Sequence, residues 1–214
     1  MTSGLQPSLL AFEPDADAGT DLSFSDLLAA ERTVLTNGAW IEVRRAWLRG
    51  GFGLFDELLA SPGWRAEQRR MYERVVAVPR LLRFFDSGEH VPWPPLVDAR
   101  RRLSTHYQGE IGEDLTSTGL CFYRDGQDSV AWHGDTKGRG ANTDTIVAIV
   151  SLGAARVFAL RQRGGGPSKR LILDHGDLVV MGGSCQRTWE HALPKTAKPV
   201  GPRISVQFRP TGVS

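Results

Sequence analysis

DTIVAIVSLGAARVFALRQRGGGPSKRLILDHGDLVVMGG, residues 144–183, holds four short apolar runs. They are DTIVAIVSL (144–152), ARVFALRQR (155–163), KRLILD (169–174) and GDLVVMGG (176–183), separated by Gly, Pro, Asp and Ser. Short runs rich in β-branched residues and bounded by turn residues read as β-strands. Joining them in parallel would need crossover segments of about a dozen residues, and the gaps are too short. GLCFYR (119–124) and RISVQFRP (203–210) have the same texture. Strands recurring every ten to fifteen residues or so predict an antiparallel sandwich or barrel.

The first half reads differently. AWIEVRRAWL (39–48) follows an Asn37-Gly38 turn signal and reads as a strand. GGFGLFDELLAS (50–61) carries Phe52, Phe55, Leu58 and Leu59 at helical spacing and ends before Pro62-Gly63. VPWPP (91–95) is expected to stop any element, and LVDARRRLSTHYQGEI (96–111) reads as a short amphipathic helix. The expected class is therefore α+β: N-terminal helices and an elaborated segment, then an all-β sandwich. Residues 1–20, polar and acidic with Pro7 and Pro14, read as a flexible arm, and 21–214 as a single domain.

With 41% hydrophobic and 23% charged residues, the 214-residue chain has globular composition. A net charge of +2 identifies no partner, but its distribution is uneven. Residues 1–30 hold five acids and no Lys or Arg, whereas 64–102 hold nine Arg against five acids. Such an excess is a footprint of phosphate binding or a solvated helical face. Cys121 and Cys185 make neither a disulfide framework nor a zinc pattern. No secretory signal and no apolar stretch of membrane-spanning length is present, so the expectation is a cytoplasmic protein without membrane contact. Nothing marks a dimer seam, and a monomer is expected.

AWHGDTKGRG (131–140) carries the chemistry. In a strand, residues two apart share a face, so His133 and Asp135 project together. With His191 of RTWEHALP (187–194) they supply two imidazoles and a carboxylate. That donor set leaves positions open on a metal and suits non-haem iron(II). A His-x-Asp pair alone arises easily by chance, and a histidine at a strand end is commonly structural. PRISVQFRP (202–210) adds a second signal, since Arg203 and Arg209 are six apart and share a face with Ser205 between them. Two guanidinium groups inside a sandwich are costly unless they clamp an anion such as a dicarboxylate.

FYRDGQDSVAWHGD, GGPSKRLILDHGDLVVMGGSCQRTWEHALP and PRISVQFRP together resemble the AlkB family of iron(II)- and 2-oxoglutarate-dependent dioxygenases, with a weaker echo in VPRLLRFF (78–85). The resemblance implies a double-stranded β-helix, or jelly roll, over 119–210, with a nucleotide-recognition lid and helix region over 64–105. It implies that His133, Asp135 and His191 bind iron(II) and that Arg203 anchors the far carboxylate of 2-oxoglutarate. Tyr123, Ser205 and Arg209 would complete the cosubstrate pocket, and dioxygen would be the co-oxidant. The implied reaction is oxidative removal of N-alkyl groups from bases of alkylated DNA, releasing an aldehyde. RNA or protein targets, and a catalytically silent nucleic-acid-binding module, are the alternatives.

A flipped base needs planar partners. Trp64, Tyr72, Phe84, Phe85 and Trp93 are interleaved with the arginines, and Tyr72 and Arg80 are the lid candidates. Arg161 matches a stretch where the family places a basic side chain near substrate. Trp132 and Trp189 read as core anchors, Gly164–Gly166 as a hairpin loop and His175-Gly176 as a turn. The chain departs from the family at Cys121 and Ser205, where many members carry Asn. Thr136 to Arg139 stand where some members have base-contacting acids, which leaves the choice of base open.

Overall fold

The computed structural model describes residues 22–71 and 74–213. The acidic arm and Tyr72 lie outside these described residues. In chain order the elements are β1 (Ser23–Phe24), β2 (Glu31–Val34), β3 (Ala39–Arg44), β4 (Leu48–Arg49), α1 (Phe52–Ala60), β5 (Arg65–Met71), β6 (Arg74–Phe85) and α2 (Pro94–Ile111). There follow β7 (Leu115–Tyr123), β8 (Val130–His133), β9 (Val147–Gly153), β10 (Arg156–Gln162), β11 (Lys169–Leu173), β12 (Leu178–Gly183), α3 (Cys185–Thr188), β13 (Trp189–Leu193) and β14 (Arg203–Pro210).

Eight strands form a major sheet in the order β2-β3-β12-β9-β14-β7-β6-β5, and four form a minor sheet, β11-β10-β13-β8. Every pairing is antiparallel. Both faces of the major sheet are covered, which explains why its strands read as near-continuous apolar runs. On its outer face Val150, Leu178, Val180, Ile204, Val206 and Phe208 pack with Leu54 and Leu58 of α1 and Leu96, Ala99, Leu103 and Tyr107 of α2. On its inner face Ile41, Val147, Ile149, Val179 and Met181 pack with Phe158, Leu160, Leu173 and Trp189 of the minor-sheet side. The jelly-roll architecture expected from the sequence is the one observed.

Three local expectations are corrected. The strand over 39–48 ends at Arg44. The buried Asp177 carboxylate accepts the Ala46 N–H at 2.9 Å and Arg45 Nη1 at 2.5 Å, which folds the chain into a turn with Ala46 at φ 46°. Pro94-Pro95 start α2 instead of stopping it, because the first helical turn needs no intrahelical N–H donor. The arginine-rich stretch is neither a solvated helix nor a loop: β5 and β6 are a pair of strands that extend the major sheet past β7.

Outer-face packing includes a buried polar joint. Glu42 on β3 is 7% exposed. Its carboxylate accepts the Tyr107 hydroxyl and Arg32 Nε, the latter at 2.5 Å. Arg32 also reaches Glu110, and its guanidinium lies 3.8 Å from the Trp40 ring centroid. The joint ties α2 to β2 and β3. Among the described residues no helix is long and apolar enough to cross a membrane.

Tyr107→Phe removes one of the bonds satisfying the buried Glu42 carboxylate. It should lower unfolding free energy by about 1–3 kcal/mol. Chemical denaturation of the two proteins side by side checks this, and an unchanged midpoint would mean the hydroxyl contributes nothing.

Candidate active site

On β14 the alternate residues Arg203, Ser205, Gln207 and Arg209 face inward toward the minor sheet. Across the ladder they meet Tyr123, Cys121, Gly119 and Ser117 of β7, and Ser205 also meets Ser151 of β9. Here the inner face turns polar. Arg203 is 1% exposed, and its Nε donates to Ser151 Oγ at 3.1 Å. Its guanidinium lies 5.4 Å from the Tyr123 ring centroid. Its Nη1 is buried without an acceptor. Burial pulls this guanidinium down to about 10, so it is still charged at neutral pH. A buried cation with a free donor is costly until an anion meets it. Burial also pushes the Tyr123 phenol well above its ordinary value, which keeps it neutral.

His133 ends β8 directly across from His191 on β13, with ring centroids 4.2 Å apart. Asp135 follows in the loop after β8. One ligand atom of each of the three residues lies within 4.8 Å of the others. His133 Nδ1 sits 2.8 Å from the Ala131 carbonyl oxygen. A carbonyl only accepts, so Nδ1 carries the proton and Nε2 keeps its lone pair, 3.9 Å from Asp135 Oδ1. His191 stacks on Phe158, and burial, reinforced by His133, pulls it down to about 3. Burial lowers His133 too. Both imidazoles are therefore neutral donors.

Burial alone would raise the Asp135 carboxyl, but the Arg209 guanidinium, with His191 and His133, holds it at about 2. Arg209 Nε donates to Asp135 Oδ2 at 2.7 Å, which leaves Oδ1 for a metal. Two neutral imidazoles and an ionised carboxylate fit a divalent iron with open positions. The His133 side chain is 36% exposed, so the set opens to solvent on that side.

The loop that presents Asp135 is locked from behind. The Asp135 N–H donates to Gln186 Oε1 at 2.9 Å. A Cβ on Gly134 would lie 2.3 Å from the Gln186 carbonyl oxygen and 3.2 Å from that of Trp189, so only glycine lets the loop sit this close to α3 and β13.

His133, Asp135, His191, Arg203, Tyr123 and Ser205 thus line one space between the sheets. Arg209 does so as well, and there it pairs with Asp135. Arg80, expected on the lid, sits at its root: Nη1 donates to the Ser129 carbonyl at 3.2 Å, and its charge bears on Tyr123 and His133. Arg161 faces the other way. Leu160 pairs with His191 and points inward, so Arg161 and its cross-strand partner Glu190 point outward. There Arg161 donates to Glu190 Oε2 at 3.0 Å and lies over the Trp132 ring at 4.2 Å. Trp189 is a core residue, as read from the sequence.

One site residue escaped the sequence reading, and one of the aromatic candidates is singled out. Gln186 gives no signal in a loop-like stretch. Phe84 is 50% exposed while its neighbour Phe85 is buried. Phe84 pairs with Gly119 across β6 and β7. A Cβ on Gly119 would lie 3.1 Å from Arg209 Nη1 and 3.6 Å from Phe84 Cδ2, so the bare glycine brings the exposed ring beside the Arg209–Asp135 pair.

Residues 54–209 match the profile of the 2OG-Fe(II) oxygenase superfamily. The chain belongs to that superfamily. Its cofactor set is iron(II), 2-oxoglutarate and dioxygen, and the His133–Asp135–His191 group is a fitting place for the metal. Among curated relatives, human DNA oxidative demethylase ALKBH2 is 33% identical over 126 residues, covering 55% of this chain and 47% of the relative. Human alpha-ketoglutarate-dependent dioxygenase alkB homolog 3 is 28% identical over 155 residues, covering 68% of this chain and 49% of the relative. The chain thus spans about half the length of the curated relatives it matches. These relatives bear out the AlkB resemblance. Among solved structures, OsALKBH1 superposes with a TM-score of 0.56 at 15% identity, covering 83% of this chain and 100% of that one. A 2OG-Fe(II) oxygenase family oxidoreductase from Burkholderia pseudomallei superposes with a TM-score of 0.54 at 14% identity, covering 83% and 88%. These two likenesses establish the oxygenase fold.

Gly134→Ala should displace Asp135 from the two histidines. We expect metal affinity to fall about 10–100-fold, as for other changes behind a ligand, with the far-ultraviolet dichroism unchanged. Titration with Mn(II) checks this, and parental affinity would show that the loop has room to give.

Proposed function

We propose that the protein oxidatively removes N-alkyl groups from the bases of alkylated DNA, using iron(II), 2-oxoglutarate and dioxygen. The observation that carries the reading is the pairing of a neutral-His, ionised-Asp metal site with a buried guanidinium, Arg203 Nη1, that lacks an anion on the same inner face. The curated relatives named as DNA oxidative demethylases support the choice of target.

In this reading His133 Nε2, Asp135 Oδ1 and a ring nitrogen of His191 hold the iron. Arg203 binds the far carboxylate of 2-oxoglutarate, and the neutral Tyr123 phenol and Ser205 hydroxyl complete that pocket. The bound iron and cosubstrate supply the oxidation of the N-alkyl carbon, after which the hydroxylated carbon leaves the base as an aldehyde. Arg209 keeps Asp135 ionised and turned toward the histidines. Arg80, whose charge bears on both Tyr123 and His133, would stand near the meeting point of cosubstrate and substrate. Phe84 offers an exposed ring on the solvent side of the Arg209–Asp135 pair, where a base extruded from its strand can stack.

The test is succinate formation with iron(II), ascorbate and 2-oxoglutarate over a panel of methylated and etheno-modified oligonucleotides, in DNA and RNA. Succinate that rises with a modified DNA, together with recovery of the unmodified base, is the expected result. Succinate independent of every oligonucleotide would remove the DNA substrate and leave the oxygenase. His133→Ala and Asp135→Ala should each abolish turnover.

Arg203→Ala removes a charge-assisted partner from the cosubstrate carboxylate. Such bonds contribute about 1.5–3 kcal/mol, so the KM for 2-oxoglutarate should rise about 10–100-fold. An unchanged KM would move the anchor to another residue.

A further inference from the structure

The geometry points to Cys121 as a covalent modification site on the floor of the cosubstrate pocket, where a soft electrophile and 2-oxoglutarate exclude one another. This rests on the reading that the pocket takes 2-oxoglutarate.

Cys121 stands on β7 directly across from Ser205, which in turn stands across from Ser151 on β9. Ser151 is the residue that accepts from Arg203 Nε. One step along the same two strands, Tyr123 faces Arg203, and Cys121 acts electrostatically on both of them. The thiol is therefore one row from the guanidinium whose Nη1 is buried without an acceptor. That orphaned donor is the independent sign that an anion belongs here.

An anion held at Arg203 and extending toward Asp135 must run along the β14 face, because Arg203 and Arg209 bracket that face. The row it crosses first is Ser205 and Cys121. The next row is Gln207 and Gly119, where the bare glycine lets Gln207 Oε1 and Arg209 Nη1 close over the strand, 2.9 and 3.1 Å from where its Cβ would stand. Cys121 Sγ lies 3.8 Å from Gln207 Oε1, while Gln207 Nε2 donates to Ser205 Oγ at 2.5 Å. The sulfur is thus part of the polar floor and is not packed into either apolar core. Cys121 is only partly buried, whereas Cys185 is 1% exposed inside the inner core.

The step needs no oxidant. The sulfur adds to the β-carbon of an α,β-unsaturated carbonyl compound. One C–S bond forms, the carbon–carbon π bond is lost, and the thiol proton ends on the α-carbon. There is no leaving group. The adduct then occupies the volume above the Ser205 and Cys121 row that the dicarboxylate requires.

The experiment treats the Mn(II)-loaded protein with N-ethylmaleimide and follows the Cys121 and Cys185 peptides by mass spectrometry. It is run with and without 2-oxoglutarate at about 100 times its Kd. If only the ligand-free protein reacts, labelling should slow about 100-fold. Cys121 should be labelled, Cys185 should not, and the labelled protein should lose 2-oxoglutarate binding measured calorimetrically with Mn(II). In Cys121→Ala and Cys121→Ser, treated and untreated samples should bind 2-oxoglutarate equally, whatever each variant's own affinity. The proposal is overturned by a labelling rate indifferent to 2-oxoglutarate, by an absent Cys121 adduct, or by labelled protein that still binds the cosubstrate. Untreated parent protein that binds no 2-oxoglutarate at all would sink the cosubstrate reading, and this proposal with it.

Discussion

Arg203 and Arg209 ride on a strand that is hydrogen-bonded on both sides, by β7 and β9. A central strand cannot turn one side chain to the other face without shifting its whole register. Both guanidinium groups are therefore held between the two sheets, away from bulk water. A buried cation must find an anion or a full set of acceptors. Arg209 finds Asp135, and Arg203 finds one serine hydroxyl and a free donor. The first pairing aims one carboxylate oxygen away from the histidines and so leaves the other for them. The second leaves a charged socket at the far end of the same strand. The candidate metal position and the proposed cosubstrate position both follow from the parity of β14.

The two cores explain why this polar strip is tolerated. The outer face of β14 buries Ile204, Val206 and Phe208 against the helices, and the inner faces of β12 and β9 bury Val179, Met181, Val147 and Ile149 against the minor sheet. Apolar burial on both sides of the same sheet, at about 25 cal/mol per Å², offsets a local strip whose charges are only partly satisfied. The polar row is continuous from Ser151 through Ser205 to Cys121. The candidate site residues are thus carried on strands fixed by packing, save Asp135, which lies in the loop after β8. That loop is fixed instead by the Gln186 bond and by the close approach that Gly134 allows.

Much of this was legible before any coordinates. Period-two alternation put Arg203, Ser205 and Arg209 on one face, and the His-x-Asp pair with a distant histidine gave the donor set. What escaped notice depended on register and on pairing between distant segments. Arg161 is one residue from Leu160, and its outward face follows only from the pairing of Leu160 with His191. Arg209 could not be assigned to Asp135 from a separation of 74 positions. The break after Arg44 is caused by Asp177, more than a hundred residues away. The β5–β6 pair was obscured because an edge of a sheet tolerates charge: Arg65, Glu67 and the arginines that follow read as a solvated surface whichever element carries them. Pro94-Pro95 misled for a different reason, since proline ends helices from within and begins them from the first turn.

The size of the pocket floor bears on which anion it holds. Its rows are built from Ser151, Ser205, Cys121 and Gly119, all small, between the bulk of Tyr123 at one end and the Arg209–Asp135 pair at the other. Gln207, the one long neutral side chain among them, bonds back to Ser205 through Nε2, while its Oε1 lies over Gly119, 2.9 Å from where a Cβ would stand. A small inorganic anion would satisfy Arg203 Nη1 and reach no further along the strip. In the proposed reading a rod-like dicarboxylate would meet Arg203 with one end and the metal-binding group with the other. The orphaned guanidinium donor and the neutral imidazoles therefore converge on one kind of ligand from two separate physical requirements, charge and lone-pair availability.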